Sequence, residues 1–113
     1  MAAASEKVSF GDFQRMKIVV AEVLGVRDHP NADKLICLDI DLGGEKRQIV
    51  AGLKGHCEAD ALTGTKIIVV ENLEPATLRG ERSEGMLLAA TTDDGRVVLL
   101  RPDEDVPAGS KIS

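Results

Sequence analysis

The sequence predicts an all-β domain folded into a small antiparallel barrel, closed or nearly so. Two observations carry that expectation. Apolar residues fall in short runs rich in Val and Ile, several alternating with polar ones, which is strand patterning. The runs are separated by dense turn chemistry, such as HPNAD at 29–33, Gly43-Gly44 and Asp94-Gly95. Closure follows because a barrel removes the exposed edges that several short strands otherwise present.

In chain order, FGDFQRM (10–16) reads as a short helix with Asp12 near its start. KIVVAEVLGVRD (17–28) is β-branched and reads as one long strand. In KLICLDIDLGG (34–44), Ile36, Leu38, Ile40 and Leu42 alternate with Cys37, Asp39 and Asp41, a strand with one wet face. Gly43-Gly44 closes a hairpin into EKRQIVAGL (45–53). HCEADALTG (56–64) reads as a short helical turn ended by Gly64, and TKIIVVEN (65–72) as the next strand. NLEPATLRGERSEG (72–85) reads as a turn-rich connection, and GMLLAATTDDGRVVLLRP (85–102) as a hairpin turning at Asp94-Gly95. The polar end, DEDVPAGSKIS, is extended. Five or six strands with a helical turn between the third and fourth give the OB arrangement, a five-stranded Greek-key barrel, here with a C-terminal extension. A small β-sandwich has the same patterning. Residues 9–113 are expected to form the domain, behind a small, polar, disordered tail at 1–8.

The bulk properties narrow the function. A chain of 113 residues holds one domain. No signal peptide and no membrane-length apolar run is legible. Cys37 and Cys57 follow no CxxC pattern, so a cytoplasmic protein with free thiols is expected. Fourteen Lys and Arg against nineteen Asp and Glu give a net charge of −5, which counts against nucleic-acid binding unless local patches outweigh it.

DHPNADKL (28–35), RQIVAGL (47–53), NLEPATLRGERSEGMLLAA (72–90) and LLRPDEDVPAGSKI (99–112) together resemble one family. It is the tRNA-binding domain found as a free-standing bacterial and archaeal protein, as the C-terminal dimerising appendix of methionyl-tRNA synthetases, and in the endothelial monocyte-activating polypeptide. The resemblance runs in order from about Phe10 to Ile112. It implies an OB fold, a homodimer, recognition of the folded tRNA corner by shape, and no catalysis, cofactor or metal. It also implies a possible methionyl-tRNA synthetase catalytic chain as partner.

The residues are consistent with shape reading. OB domains that grip single strands stack bases on aromatic rings. This chain has two Phe, no Trp and no Tyr. What remains is contact to phosphate and ribose. By resemblance, Asn72, Arg79, Gly80, Ser83, Gly85 and Met86 match family positions. Arg79 and Arg82 offer forked guanidinium groups for phosphates. Ser83 offers a donor to phosphate or ribose, Met86 a soft apolar contact, and the glycines close backbone approach. Against this, Gly80 and Gly85 can simply make turns, Ser83 can cap one, and Met86 can be core. Lys34 is a further tRNA-binding expectation, though a lysine guarding a strand end looks the same. Lys46, Arg47 and Lys54 can join the arginines in a basic stripe.

The chain also departs from the family. Relatives often carry Lys where Glu74 and Thr77 stand, and Val19 replaces an arginine. The segment 72–86 holds two Arg and three Glu, so weak tRNA binding is expected, or binding as a helper in a larger assembly. His29, Cys37, His56 and Cys57 match no zinc spacing. Asp39 and Asp41 read as a solvated strand face, and no catalytic motif is present.

A homodimer has its own argument. IVVAEVLGV is apolar at both parities, with Ile18, Val20, Leu24 and Val26 on one side and Val19, Ala21 and Val23 on the other. The second face needs a cover from the tail, a partner or the N-terminal helix. Two rival functions share the fold: a protein-binding export chaperone, and a purely structural dimerising subunit of a synthetase.

Overall fold

In the computed structural model, which describes residues 6–113, two short helices and ten strands follow in chain order. They are α1 (Phe10–Arg15), β1 (Ile18–Asp28), β2 (Ile36–Asp41), β3 (Lys46–Ala51), α2 (Ala59–Leu62), β4 (Lys66–Val70), β5 (Ala76–Leu78), β6 (Glu81–Ser83), β7 (Met86–Leu87), β8 (Ala89–Thr91), β9 (Val97–Leu99) and β10 (Lys111–Ile112). Most of the expected tail, residues 1–5, lies outside the described residues.

Every strand pairing is antiparallel, and the main sheet runs β3-β2-β1-β4-β7. β1 is long enough to serve two neighbours, pairing β4 through residues 18–22 and β2 through residues 22–28. The outer strands of that order are drawn together by residues 83 and 84. Glu84 N–H donates to Gln48 O at 2.9 Å, and Val50 N–H donates to Ser83 Oγ at 2.9 Å. The result is the nearly closed OB-type barrel, with α2 between β3 and β4. From α2, Leu62 enters the core.

Side-chain alternation in β1 is interrupted. A bulge between Val23 and Gly25 adds a residue, so Val26 turns inward to pack with Val19, Ala21 and Val23, while Leu24 is left exposed. Strict alternation had put Val26 on the opposite side; one extra residue reverses every position after it.

The second apolar face of β1 is real, and the chain covers it itself. Ile18 and Val20 join Ile68 and Val70 in a separate cluster, with Leu88, Val106 and Ile112 packed on it. The C-terminal extension does this work: β10 pairs Ile18 and Val19, Gly109 N–H donates to Val20 O at 2.7 Å, and Lys66 Nζ holds Asp105 and Val106 O. Its path crosses the β2–β3 turn where Gly43 and Gly109 stand back to back. A Cβ on Gly43 would lie 2.6 Å from Ala108 O. α1 is not the cover, because it buries no residue. Its start is capped by Ser9, whose Oγ accepts from Asp12 N–H, and not by Asp12.

The β2–β3 turn is tied locally: the Asp41 carboxylate accepts from Gly43 and Gly44 N–H. Those donors, Gly44 first, hold its pKa below the usual carboxylate value. The expected hairpin at 85–102 divides. β7 stays on β4, while β8 and β9 form a separate two-stranded ribbon.

Candidate functional site

Residues 72–86 are more ordered than a turn-rich connection. β5 and β6 pair as a small hairpin, Thr77 opposite Arg82 and Leu78 opposite Glu81. Arg79 and Gly80 are the two-residue loop, with φ of +53° and +93°. Positive φ at both positions is what a type I′ turn requires, and Gly80 meets it without strain. Arg79 is the one non-glycine residue with positive φ among the described residues.

Strand alternation then sorts the charges. Glu81 and Ser83 face the barrel, Glu81 coming to 3.9 Å from Cys37 Sγ. Burial raises the Cys37 thiol pKa, and Glu81 adds to the rise. Arg82 and Thr77 face solvent, and Arg79 stands at the tip. A segment whose formal charge is 2 − 3 = −1 therefore turns two guanidinium groups outward.

Four side chains pin the hairpin to the barrel. Ser83 Oγ accepts from Val50 N–H and donates to Gly85 O at 3.0 Å. Gln48 donates to Arg82 O at 2.8 Å and accepts from Arg27. At the far end, His29 Nε2 donates to Leu78 O at 2.8 Å, while its Nδ1 accepts from Asn31 N–H at 2.9 Å. Asn31 Nδ2 donates to Arg79 O at 3.4 Å. The motifs at 28–35 and 72–86, far apart in sequence, thus form one corner.

The expected site residues divide on this geometry. Lys34, Arg79, Arg82 and Met86 are exposed, and the first three form no ion pair among the described residues. Met86 is 51% exposed, so it is not core. Ser83 is 4% exposed with its hydroxyl engaged on both sides, so it supports the hairpin from behind instead of offering a donor outward. Asn72 accepts from Lys17 N–H and donates to Arg15 O, both at 2.7 Å, which fastens the exit of α1. Gly85 faces the barrel, where a Cβ would lie 3.0 Å from Val70 O; its closeness is to β4 and not to a ligand.

The basic stripe does not assemble. Arg47 is tied to Glu45 at 2.6 Å and to Glu71 O, and Glu45 raises its pKa. Lys54 is paired with Asp28 at 2.7 Å. Lys46 lines a groove of about 500 Å³ across β1–β3, where Asp39 and Glu84 oppose it. That groove is no anion site. Among the described residues, no group of three or more His, Cys, Asp or Glu is placed to hold a metal.

His29 and Gln48 hold the hairpin in place, a role that residue-type reasoning did not give them. Their signal was Arg79-Gly80 between Leu78 and Glu81, which as a two-residue turn demands a hairpin and hence something to hold it.

The class is therefore a nearly closed OB-type barrel that offers a pinned, outward-charged hairpin held at its tip by the β1–β2 turn. The family model described as "Putative tRNA binding domain" matches residues 18–111, and the chain belongs to that family. It is 49% identical over 108 residues to the methionine–tRNA ligase of Thermococcus kodakarensis, and 47% identical over 107 to that of Methanocaldococcus jannaschii. These matches cover 95% of this chain but only 14% and 16% of those enzymes. Among solved structures, a MetRS related protein from Pyrococcus horikoshii superposes with a TM-score of 0.89 at 35% identity, covering 96% of this chain and 99% of that one. The chaperone CsaA of Bacillus anthracis superposes at 0.86 and 30%, covering 96% and 100%. Among the described residues, no helix is long and apolar enough to cross a membrane.

Proposed function

We propose that this domain is a non-catalytic, cytoplasmic tRNA-binding module in protein biosynthesis. It reads the corner of a folded tRNA by shape, with Lys34, Arg79, Arg82 and Met86 at the contact. Asn72 and Ser83 act from behind, as supports. The observation that carries the reading is the sorting of charge on the β5–β6 hairpin: an acidic chain spends its turn tip and outer face on two unpaired arginines. A left-handed conformation costs an arginine about 1–2 kcal/mol. Asn or Gly meets that conformation at less cost, so the retained guanidinium points to use of the side chain.

The module works as a homodimer, alone or beside a methionyl-tRNA synthetase catalytic chain. The second face of β1 no longer argues for the dimer, since the tail covers it. The argument passes to α1, where Phe10 is 71% and Met16 44% exposed. The likeness to CsaA keeps a protein-binding chaperone as the second reading.

The test is a titration with folded total tRNA, the same tRNA unfolded, and an unfolded polypeptide, at low and at physiological salt. Wild type runs beside Arg79→Asn/Arg82→Ala, the Asn chosen because it tolerates the I′ turn. Folded tRNA is expected to bind best, short of nanomolar at physiological salt. The double variant should flatten the log K against log[salt] slope by about 1.4–1.8. Preference for the polypeptide would favour the chaperone. Binding of neither ligand by a folded dimer would leave the structural subunit.

A further inference from the structure

We propose that His29 is the positioning residue that locks the β1–β2 turn and the β5–β6 hairpin into one jaw, and so fixes where Arg79 meets a phosphate. The inference rests on the tRNA-binding reading and adds a residue to it.

The hairpin needs a lock. Strands of three residues do not hold a hairpin together in water. Its base is secured by Ser83 and Gln48 against β3, but those bonds reach only Arg82, Ser83 and Glu84. At the tip, Leu78 O is held by His29 and Arg79 O by Asn31, both from the β1–β2 turn. Within that turn, His29 N–H donates to Leu35 O, which fixes the imidazole's own backbone.

The side-chain type is specific to the task. The ring is 5% exposed and uses both nitrogens, accepting from Asn31 N–H on one side and donating to Leu78 O on the other. Because Nδ1 accepts, the hydrogen sits on Nε2, which fixes the tautomer. A glutamine offers a donor and an acceptor of similar reach. An alanine offers neither, and would leave Leu78 O without its partner. Lys34 lies in the same turn, and Arg79 stands at the tip that His29 and Asn31 hold. A preorganised tip spares the complex the ordering of those residues on binding.

Two measurements test this. The first is amide hydrogen exchange without RNA. His29→Ala should speed exchange across 76–83 and leave β2 and β4 protected, while His29→Gln restores most of the protection. The second is a double-variant cycle of tRNA affinity. His29→Ala should weaken binding about tenfold in the wild type and not further in Arg79→Asn. Equal losses in both backgrounds would overturn the positioning role, as would unchanged hairpin exchange. Should His29→Ala unfold the domain, His29→Phe, which keeps a ring and offers neither bond, takes its place in both measurements, with the same outcomes deciding. If wild type binds no folded tRNA, the proposed function fails and takes the RNA role of His29 with it. Hairpin exchange then still shows whether the lock exists.

Discussion

The Ser83 hydroxyl sits between Val50 N–H and Gly85 O, away from solvent. Ser83→Ala leaves a buried amide without an acceptor, which costs about 1–3 kcal/mol. The expected outcome is a lower urea midpoint with unchanged m-value. Arg82→Ala, on the opposite face of the same strand, should change the unfolding free energy by no more than about 0.5 kcal/mol while weakening RNA binding. An unchanged midpoint in Ser83→Ala would mean that β6 is not held by this bond. The contrast explains what was legible here. The sequence shows that Ser83 matches a family position and that both Ser83 and Arg82 are able to bind phosphate. It does not show which of two adjacent residues faces inward, because that depends on the hairpin register. Asn72 went the same way, its amide consumed by the exit of α1.

A hairpin with its arginines outward is also a place where charge can be restored. Thr77 lies directly opposite Arg82 on the outer face and is exposed, at a position where relatives often carry Lys. Thr77→Lys adds a third cation there without disturbing the barrel-facing side. tRNA affinity should rise, and the salt slope should steepen by about 0.7–0.9, the value of one more phosphate contact. An unchanged slope with higher affinity would mean that the gain is not a phosphate contact. At this scale, β1 and β4 were readable as β-branched runs, β2 by its alternation and β3 by the Gly43-Gly44 turn before it. Two features were not. The bulge at Val23–Gly25 has no cue beyond a glycine in a strand, and it sent Val26 inward. The I′ turn at Arg79-Gly80 escaped notice because the usual signal is Asn-Gly or Asp-Gly.

For the whole molecule, the question is which surface a second copy would use. The C-terminal extension, expected to help build a dimer, is bound to its own barrel through β10, Gly109 and Lys66. Through Val106 and Ile112 it packs on Ile18, Val20, Ile68 and Val70 of its own barrel. Among the exposed apolar side chains of the described residues, Val8, Phe10, Phe13 and Met16 lie on and beside α1. Six residues do not make a stable helix in water, and this one buries nothing within the chain. It is nonetheless fastened at both ends, by Ser9 and by Asn72. Phe10 and Phe13 lie with ring centroids 6.4 Å apart, beside exposed Met16. A capped, anchored helix with an unburied aromatic pair fits an interface for a second copy. Phe10→Ser/Phe13→Ser removes that surface without touching the core. Sedimentation should change from dimer to monomer, while urea stability measured well below the dimer's dissociation constant stays that of wild type. Affinity for folded tRNA should fall as well, because the two linked corners lose their shared avidity. A wild type that sediments as a monomer would remove the dimer from the proposal. A variant that remains dimeric would move the interface away from α1.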